Sequence, residues 1–125
     1  MLRPIKFRIW GKLDNRFIRY SINFPYELNE IFTLTNYLAF QQFTDLLDKN
    51  SKEIYDGDIV KVKLLDEEVV TRLVRWDNID LKWGLEYPDF PTFCDNLSDY
   101  RGNIEIIGNV LENKDLIDKK KSSIL

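Results

Sequence analysis

The sequence contains no histidine and only one cysteine, Cys94. Without histidine the chain lacks the commonest general base and the commonest zinc ligand, and Cys94 has no partner for papain-like catalysis. One cysteine cannot form an internal disulfide, which favours a reducing cytoplasm. Neither a glycine-rich phosphate loop nor a Gly-x-Ser-x-Gly elbow occurs. An enzyme, with a site made of carboxylates alone, is therefore the third hypothesis, and we expect no cofactor and no metal.

Long apolar runs are also missing. No run approaches the roughly 18 residues that cross a bilayer, and the charges scattered through "MLRPIKFRIWGKLD" predict no signal peptide. The 125 residues, 44% hydrophobic and 14% aromatic, suit one domain with a real core. We expect that domain over residues 1–118. Its predicted parts are a hairpin (1–23), a variable segment (24–42), a barrel (43–112) and a short helix (113–119), with a frayed tail at 119–125.

Charge is distributed unevenly along the chain. The net charge is −3, yet residues 1–20 carry six basic residues against Asp14 alone. A basic start and an acidic body can attract each other within one molecule, or the basic part can meet an anionic partner. We favour the first interpretation, because charged surface runs are usually only solvated.

The segment "IKFRIW", residues 5–10, alternates strictly between two faces, which predicts a half-buried strand. One face holds Ile5, Phe7 and Ile9, and the other holds Lys6, Arg8 and Trp10. "GKLDN" is typical of a turn and "RFIRYSI" of a returning strand, so a hairpin is predicted. In residues 24–44 the pattern leaves a helix turn and a strand both open.

Two polar turns precede the clearest strand. "DKNS" and "YDGD" have turn chemistry, and Gly57 is expected to adopt a positive φ. The turn residues are Asn50, Asp56, Gly57 and Asp58. "IVKVKLL" then places Val60, Val62 and Leu64 on one face and Ile59, Lys61 and Lys63 on a wet face. Further short strands at 68–76, 81–87 and 103–112 predict an all-β fold, a small SH3-like β-barrel. A short C-terminal helix capped by Asn113 should follow.

Three groups of residues are candidates for function. Glu53, Asp56 and Asp58 resemble a Mg²⁺ or acid–base cluster, but Asp-Gly-Asp at a strand entry is ordinary turn composition. The basic and aromatic set suits phosphate contact and base stacking, although a pI near 5.0 argues against nucleic acid. That set is Lys6, Arg8, Trp10, Lys61 and Lys63. Phe90 and Phe93 are candidates for protein docking, the alternative being that they plug the barrel end.

Three blocks of the chain resemble one family, the YopX-like proteins of phages and prophages of Gram-positive bacteria. The first block carries Lys6, Phe7, Arg8 and Trp10. The central block matches "T-G-L-x-D-K-N-G-K-x-I-Y-x-G-D-I-V" through Thr44, Leu46, Asp48, Lys49, Asn50, Lys52, Ile54, Tyr55, Gly57, Asp58, Ile59 and Val60. The last block carries Ile107, Gly108, Asn109, Glu112 and Asn113. Asp45 and Ser51 stand where the pattern has turn glycines, and Lys114 where it has a proline.

The resemblance implies a small, mostly β phage protein in the host bacterial cytoplasm, with no reaction attached to any residue. The leading hypothesis is a non-enzymatic accessory protein that binds a host or phage protein. The alternative is a nucleic-acid-binding β-barrel that uses the basic and aromatic set. No membrane partner is expected, and a homo-oligomer is left open.

Overall fold

The structure is a computed structural model, and it describes residues 6–13, 16–22 and 38–117. The chain divides into two compact units, residues 1–43 and 44–125. The strands of the described residues are, in chain order, β1 (Phe7–Leu13), β2 (Arg16–Ile22), β3 (Leu38–Leu47), β4 (Glu53–Tyr55), β5 (Asp58–Lys63), β6 (Val69–Asp77), β7 (Lys82–Tyr87), β8 (Phe90–Asn96) and β9 (Ile104–Asn109). The all-β class is confirmed.

In the first unit, β1 and β2 form the predicted antiparallel hairpin, with Phe7 opposite Ile22 and Leu13 opposite Arg16. β1 also pairs with the start of β3, where Ile9 lies opposite Phe40. β3 begins inside the segment for which helix and strand were both open, and it is a strand; residues 23–37 lie outside the described part. The expected single domain over 1–118 stays a prediction.

In the second unit, β3 pairs with β4, and five strands form an antiparallel sheet in the order β8-β7-β6-β5-β9. The inward face of this sheet carries the core, because period-2 alternation brings the apolar residues of neighbouring strands together. The buried core residues are Ile54, Val60, Val62, Val74, Leu85, Leu97 and Ile104. The predicted inward positions Val60 and Val62 are therefore confirmed.

Four details of the predicted fold are wrong or unconfirmed. The strand pairings of the described residues leave both sheets open, so closure into an SH3-like barrel is not confirmed. The helix predicted at 113–119 is only a 3₁₀ turn, Lys114–Leu116, and Asn113 makes no side-chain cap there. The predicted tail, 119–125, lies outside the described residues. Ile59, placed on the wet face of β5, has no exposed surface.

The two polar turns are built by buried aspartates. Asp48 Oδ1 accepts the backbone N–H groups of Asn50 at 2.8 Å and Lys52 at 2.9 Å, and its Oδ2 accepts that of Ile106 at 3.0 Å. Burial would raise the pKa of Asp48, but the backbone donors outweigh it and hold the pKa below the usual value. The turn before β4 is thereby tied to β9.

The second turn is tied in the same way. Gly57 has a φ of 89°, which confirms the expected left-handed conformation. Asp58 is buried and accepts the N–H of Tyr55 at 2.8 Å and the side-chain amide of Asn109 at 3.0 Å. The Asn113 side chain caps no helix, and its Oδ1 instead accepts the N–H of Asn109 at 3.1 Å. These motif residues hold the turns and strand ends together.

Candidate functional site

The members of the basic and aromatic set differ in location and exposure. Trp10 is 1% exposed, and its indole N–H donates to Gln41 Oε1 at 2.7 Å. A buried ring has no free face on which a base can stack, so the predicted stacking role of Trp10 is wrong. Lys6 lies 5.6 Å from the centroid of the Phe43 ring, a cation–π contact within the first unit. Arg8 is only partly exposed.

Lys61 and Lys63, the other two members of the set, line an open groove of the second unit. The groove has a volume of about 430 Å³. Both lysines are exposed, and they project from the outward face of β5 because they alternate with the core residues Val60 and Val62. The described residues that line it are Lys49, Lys61, Lys63, Val69, Gly102, Asn103 and Glu105.

Lys49 joins this groove because of the Asp48 turn. The backbone N–H of Lys49 donates to the carbonyl of Ile104 at 2.8 Å, which places the turn beside β9. The Lys49 ammonium then lies 3.5 Å from Glu105 Oε1. We did not predict Lys49 as a site residue; its only sequence signal is its place in the "DKNS" turn, whose long-range contact with β9 the spacing does not reveal. The groove lysines therefore come from two separate segments.

The charges of the groove are only partly compensated. Lys63 pairs with Glu67 at 3.7 Å, and both side chains are more than half exposed. Exposed pairs of this kind contribute roughly 0–1 kcal/mol. Lys61 has no carboxylate within ion-pair distance among residues 6–13, 16–22 and 38–117. Glu105 lies opposite Lys61 in the β5–β9 pairing, but its carboxylate is within ion-pair distance of Lys49. The groove thus has three lysines and one lining carboxylate, Glu105.

A second surface feature is the end of the β6–β7 hairpin, residues 76–83, which we call the hairpin tip. Its apolar side chains are unusually exposed: Trp76 by 45%, Ile79 by 87% and Leu81 by 71%. Single exposed apolar residues are normal, but three within six positions form a concentrated apolar surface. The sequence predicts the turn from "WDNID", yet the exposure of these residues was missed.

The backbone of the hairpin tip is fixed. Asp77 Oδ1 accepts the N–H groups of Ile79 at 2.9 Å and Asp80 at 3.3 Å, an arrangement typical of Asx turns. Leu81 completes the turn with a φ of 54°, in the left-handed region that glycine and asparagine prefer. The turn therefore holds an isoleucine and a leucine in solvent.

Two tryptophans support the base of this tip. Trp76 and Trp83 lie opposite each other on β6 and β7, with ring centroids 5.2 Å apart at an interplanar angle of 76°. Edge-to-face pairs of this geometry contribute about 0.5–1.5 kcal/mol beyond burial. Trp83 packs against the core, whereas Trp76 remains nearly half exposed. The aromatic pair thus connects the core to the apolar tip.

The carboxylate candidates serve the fold. Asp58 is satisfied by Tyr55 and Asn109, and Glu53 accepts the Tyr55 hydroxyl at 3.2 Å. Asp56 Oδ1 lies 3.5 Å from Arg75 Nη1; burial raises the pKa of Asp56, and Arg75 partly opposes that rise. Among the described residues no three His, Cys, Asp or Glu side chains are grouped as metal ligands.

The remaining candidates lie on β8. Phe90 and Phe93 belong to this edge strand of the five-stranded sheet, but their side chains lie outside the described part of the structure, so their docking role stays a prediction. Burial, and then the nearby Asp77, raises the pKa of the Cys94 thiol. A raised pKa lowers the thiolate fraction at neutral pH and with it the reactivity. Within the described residues, no helix has the length and apolar character needed to span a membrane.

Comparison with known proteins gives one family and a similar fold. A family model described as YopX protein matches residues 15–118, which include the central and last blocks but not the first. The fold is similar to the crystal structure of protein EF1440 from Enterococcus faecalis, with a TM-score of 0.56 and 19% identity. That similarity covers 91% of this chain and 98% of the other, and at this identity it concerns the fold alone. A search of curated proteins found no match.

Proposed function

The chain belongs to the YopX protein family, and we propose that it is a non-enzymatic phage or prophage accessory protein that binds another protein through its hairpin tip. The target is a host or phage protein, and the site of action is the bacterial cytoplasm. The observation that supports this proposal best is the conformation and exposure of Leu81.

Both the backbone conformation and the solvent exposure of position 81 disfavour leucine. A left-handed backbone costs a non-glycine residue about 1–2 kcal/mol, and its φ is 54°. Its side chain is also exposed, as is that of Ile79. Burying a leucine or isoleucine contributes about 1.5–3 kcal/mol, which the free chain does not gain here. Backbone strain of this kind is concentrated at binding and switch sites, so a role outside the folding of the chain accounts for both features.

The chemistry of the tip indicates the kind of partner. Trp76, Ile79 and Leu81 suit an apolar cleft, because aromatic and large aliphatic anchors carry most interface energy. Asp77 and Asp80 flank Ile79, so basic residues at the rim of that cleft would complement the tip. A fixed turn loses little conformational entropy on binding, which favours insertion as a rigid unit.

The experiment uses matched surface variants. The tagged wild-type chain captures proteins from lysate of a Gram-positive host, with and without nuclease treatment. The retained protein is then purified, and its affinity is measured by calorimetry. Ile79→Ser combined with Leu81→Ser should weaken binding by at least about tenfold, since two buried aliphatic side chains are lost. Leu65→Ser is the control, because Leu65 is fully exposed in a different turn.

Two outcomes would contradict the proposal. If the tip variant and the Leu65 variant bind the partner equally well, the tip is not the contact surface. If all capture disappears after nuclease treatment, the alternative function, nucleic-acid binding, replaces protein binding. Thermal melts of both variants establish that each remains folded, because exposed positions change stability little.

A further inference from the structure

The groove lined by Lys49, Lys61 and Lys63 offers a second recognition surface, distinct from the hairpin tip. Val69 of the groove and Trp76 of the tip lie at opposite ends of β6, seven residues apart. At about 3.3 Å per residue this separation is about 23 Å along the strand. A ligand in the groove therefore does not touch the tip.

The spacing of the groove cations matches an extended chain. Lys61 and Lys63 are alternate residues on one face of β5, so their Cα atoms are about 6.6 Å apart. Alternate residues of an extended peptide have the same spacing, and their side chains point in one direction. Val69 lies directly opposite Lys63 in the β5–β6 pairing and is exposed, which adds an apolar wall.

We propose that the groove binds an extended acidic segment of a protein, with carboxylates at positions i and i+2 and an aliphatic residue at i+4. The first carboxylate pairs with Lys61, the cation that has no carboxylate partner among the described residues. The second displaces Glu67 from Lys63, an exchange of one exposed pair for another. The aliphatic side chain lies one step beyond Lys63 along β5 and packs sideways against Val69, the neighbour of Lys63 on β6.

The composition of the groove favours a peptide over nucleic acid. Among the described residues, the lining of the groove includes no aromatic side chain on which a base could stack. The pI near 5.0 also argues against nucleic acid. This inference adds a second contact to the proposed protein partner, but it is tested without that partner.

The probe is the blocked peptide Ser-Glu-Ser-Glu-Ser-Ile-Ser, titrated into ¹⁵N-labelled full-length protein and followed by two-dimensional NMR. Amide shifts should concentrate at Lys49, Lys61, Lys63 and Val69. Lys61→Gln should weaken binding about fivefold, the equivalent of one exposed ion pair. Lys114→Gln is the control, since Lys114 is an exposed lysine outside the groove. The peptide with glutamine in place of both glutamates should produce no localised shifts.

Three results would overturn the proposal. Equal shifts with the glutamine peptide would remove the role of charge, and an absence of shifts at the groove would remove the site. Stronger shifts of the same amides by a deoxythymidine oligonucleotide of about 12 nucleotides would make the groove a nucleic-acid site. The tip variant, Ile79→Ser with Leu81→Ser, should bind the peptide normally, so failure of the groove and failure of the tip are distinguishable.

Discussion

Ser51→Gly should make the protein more stable. Ser51 has a φ of 65°, and its position is one where the resembling family pattern has glycine. The serine is exposed, and its backbone N–H donates to the carbonyl of Asp48 at 3.0 Å. Glycine keeps this backbone bond, so the substitution removes the strain of a left-handed side chain and little else. Asp45 also has a positive φ, 70°, but takes part in further interactions, and Ser51 is therefore the cleaner test.

The magnitude follows from two opposing terms. A left-handed conformation costs a residue with a Cβ about 1–2 kcal/mol. Glycine loses about 0.5–1 kcal/mol more conformational entropy on folding than alanine does. The midpoints of these two ranges leave a net gain of about 0.75 kcal/mol in the free energy of unfolding, or about 2–5 °C in the melting temperature.

Urea unfolding followed by tryptophan fluorescence measures this gain, with thermal melts by circular dichroism as a second observable. Ser51→Ala is the matched control, because alanine keeps the Cβ and hence the strain. If the glycine and alanine variants have the same free energy of unfolding, or if glycine lowers it, strain at Ser51 is not what limits this turn.

Three further substitutions test the buried turns by the same assay. Gly57→Val should lower the free energy of unfolding by roughly 1–3 kcal/mol, since a β-branched residue tolerates a φ of 89° poorly; an unchanged melting temperature would remove that argument. Gly108→Ala should cost about 1–3 kcal/mol, because its Cβ would lie 2.7 Å from Asn113 Oδ1; Asn113→Ala in the same chain should recover part of the loss, and no recovery would show a different cause. Asp48 has a lowered folded-state pKa, so its carboxylate stabilises the fold above the unfolded pKa, and this contribution is lost as pH falls from about 4 through the folded pKa. Asp48→Asn should lower the free energy of unfolding at pH 7 by about 1.5–3 kcal/mol and reduce the loss of stability at acidic pH. If the variant and the wild type lose the same stability at acidic pH, other groups cause that loss.

The alternation of β5 could be read from the sequence because it is a local property. Val60 and Val62 face the core and Lys61 faces solvent, as a period of two requires. The same rule fails at Ile59 and Trp10, which are buried on faces predicted to be wet. Alternation assigns residues to opposite faces, but it does not say whether distant parts of the chain cover the second face. The Trp10 N–H is satisfied by Gln41, 31 residues away, and no local pattern contains that contact.

Long-range geometry also decided the other errors. Closure of a barrel depends on which strands pair at the edges, and the spacing of short strands does not determine those pairings. Asn113 precedes a polar stretch and is a good helix cap by type. Its carboxamide oxygen instead accepts the N–H of Asn109, with Gly108 leaving the space for it. A glycine five residues before an asparagine gives no sign of that contact until the strand end is placed.

The residues that make the family recognisable are largely those that make it fold. Asp48, Gly57, Asp58 and Asn109 are buried or conformationally constrained, and their hydrogen bonds join segments up to 58 residues apart. Such residues specify the turns and leave the surface undetermined. The hairpin tip lies outside all three motif blocks. Its apolar residues are exposed to solvent, and Leu81 also has a left-handed backbone. Where local physical chemistry explains a residue fully, as at Asp58, no further role is needed. Where it opposes the residue, as at Leu81, the proposed partner is the explanation that the serine substitutions of the hairpin tip test.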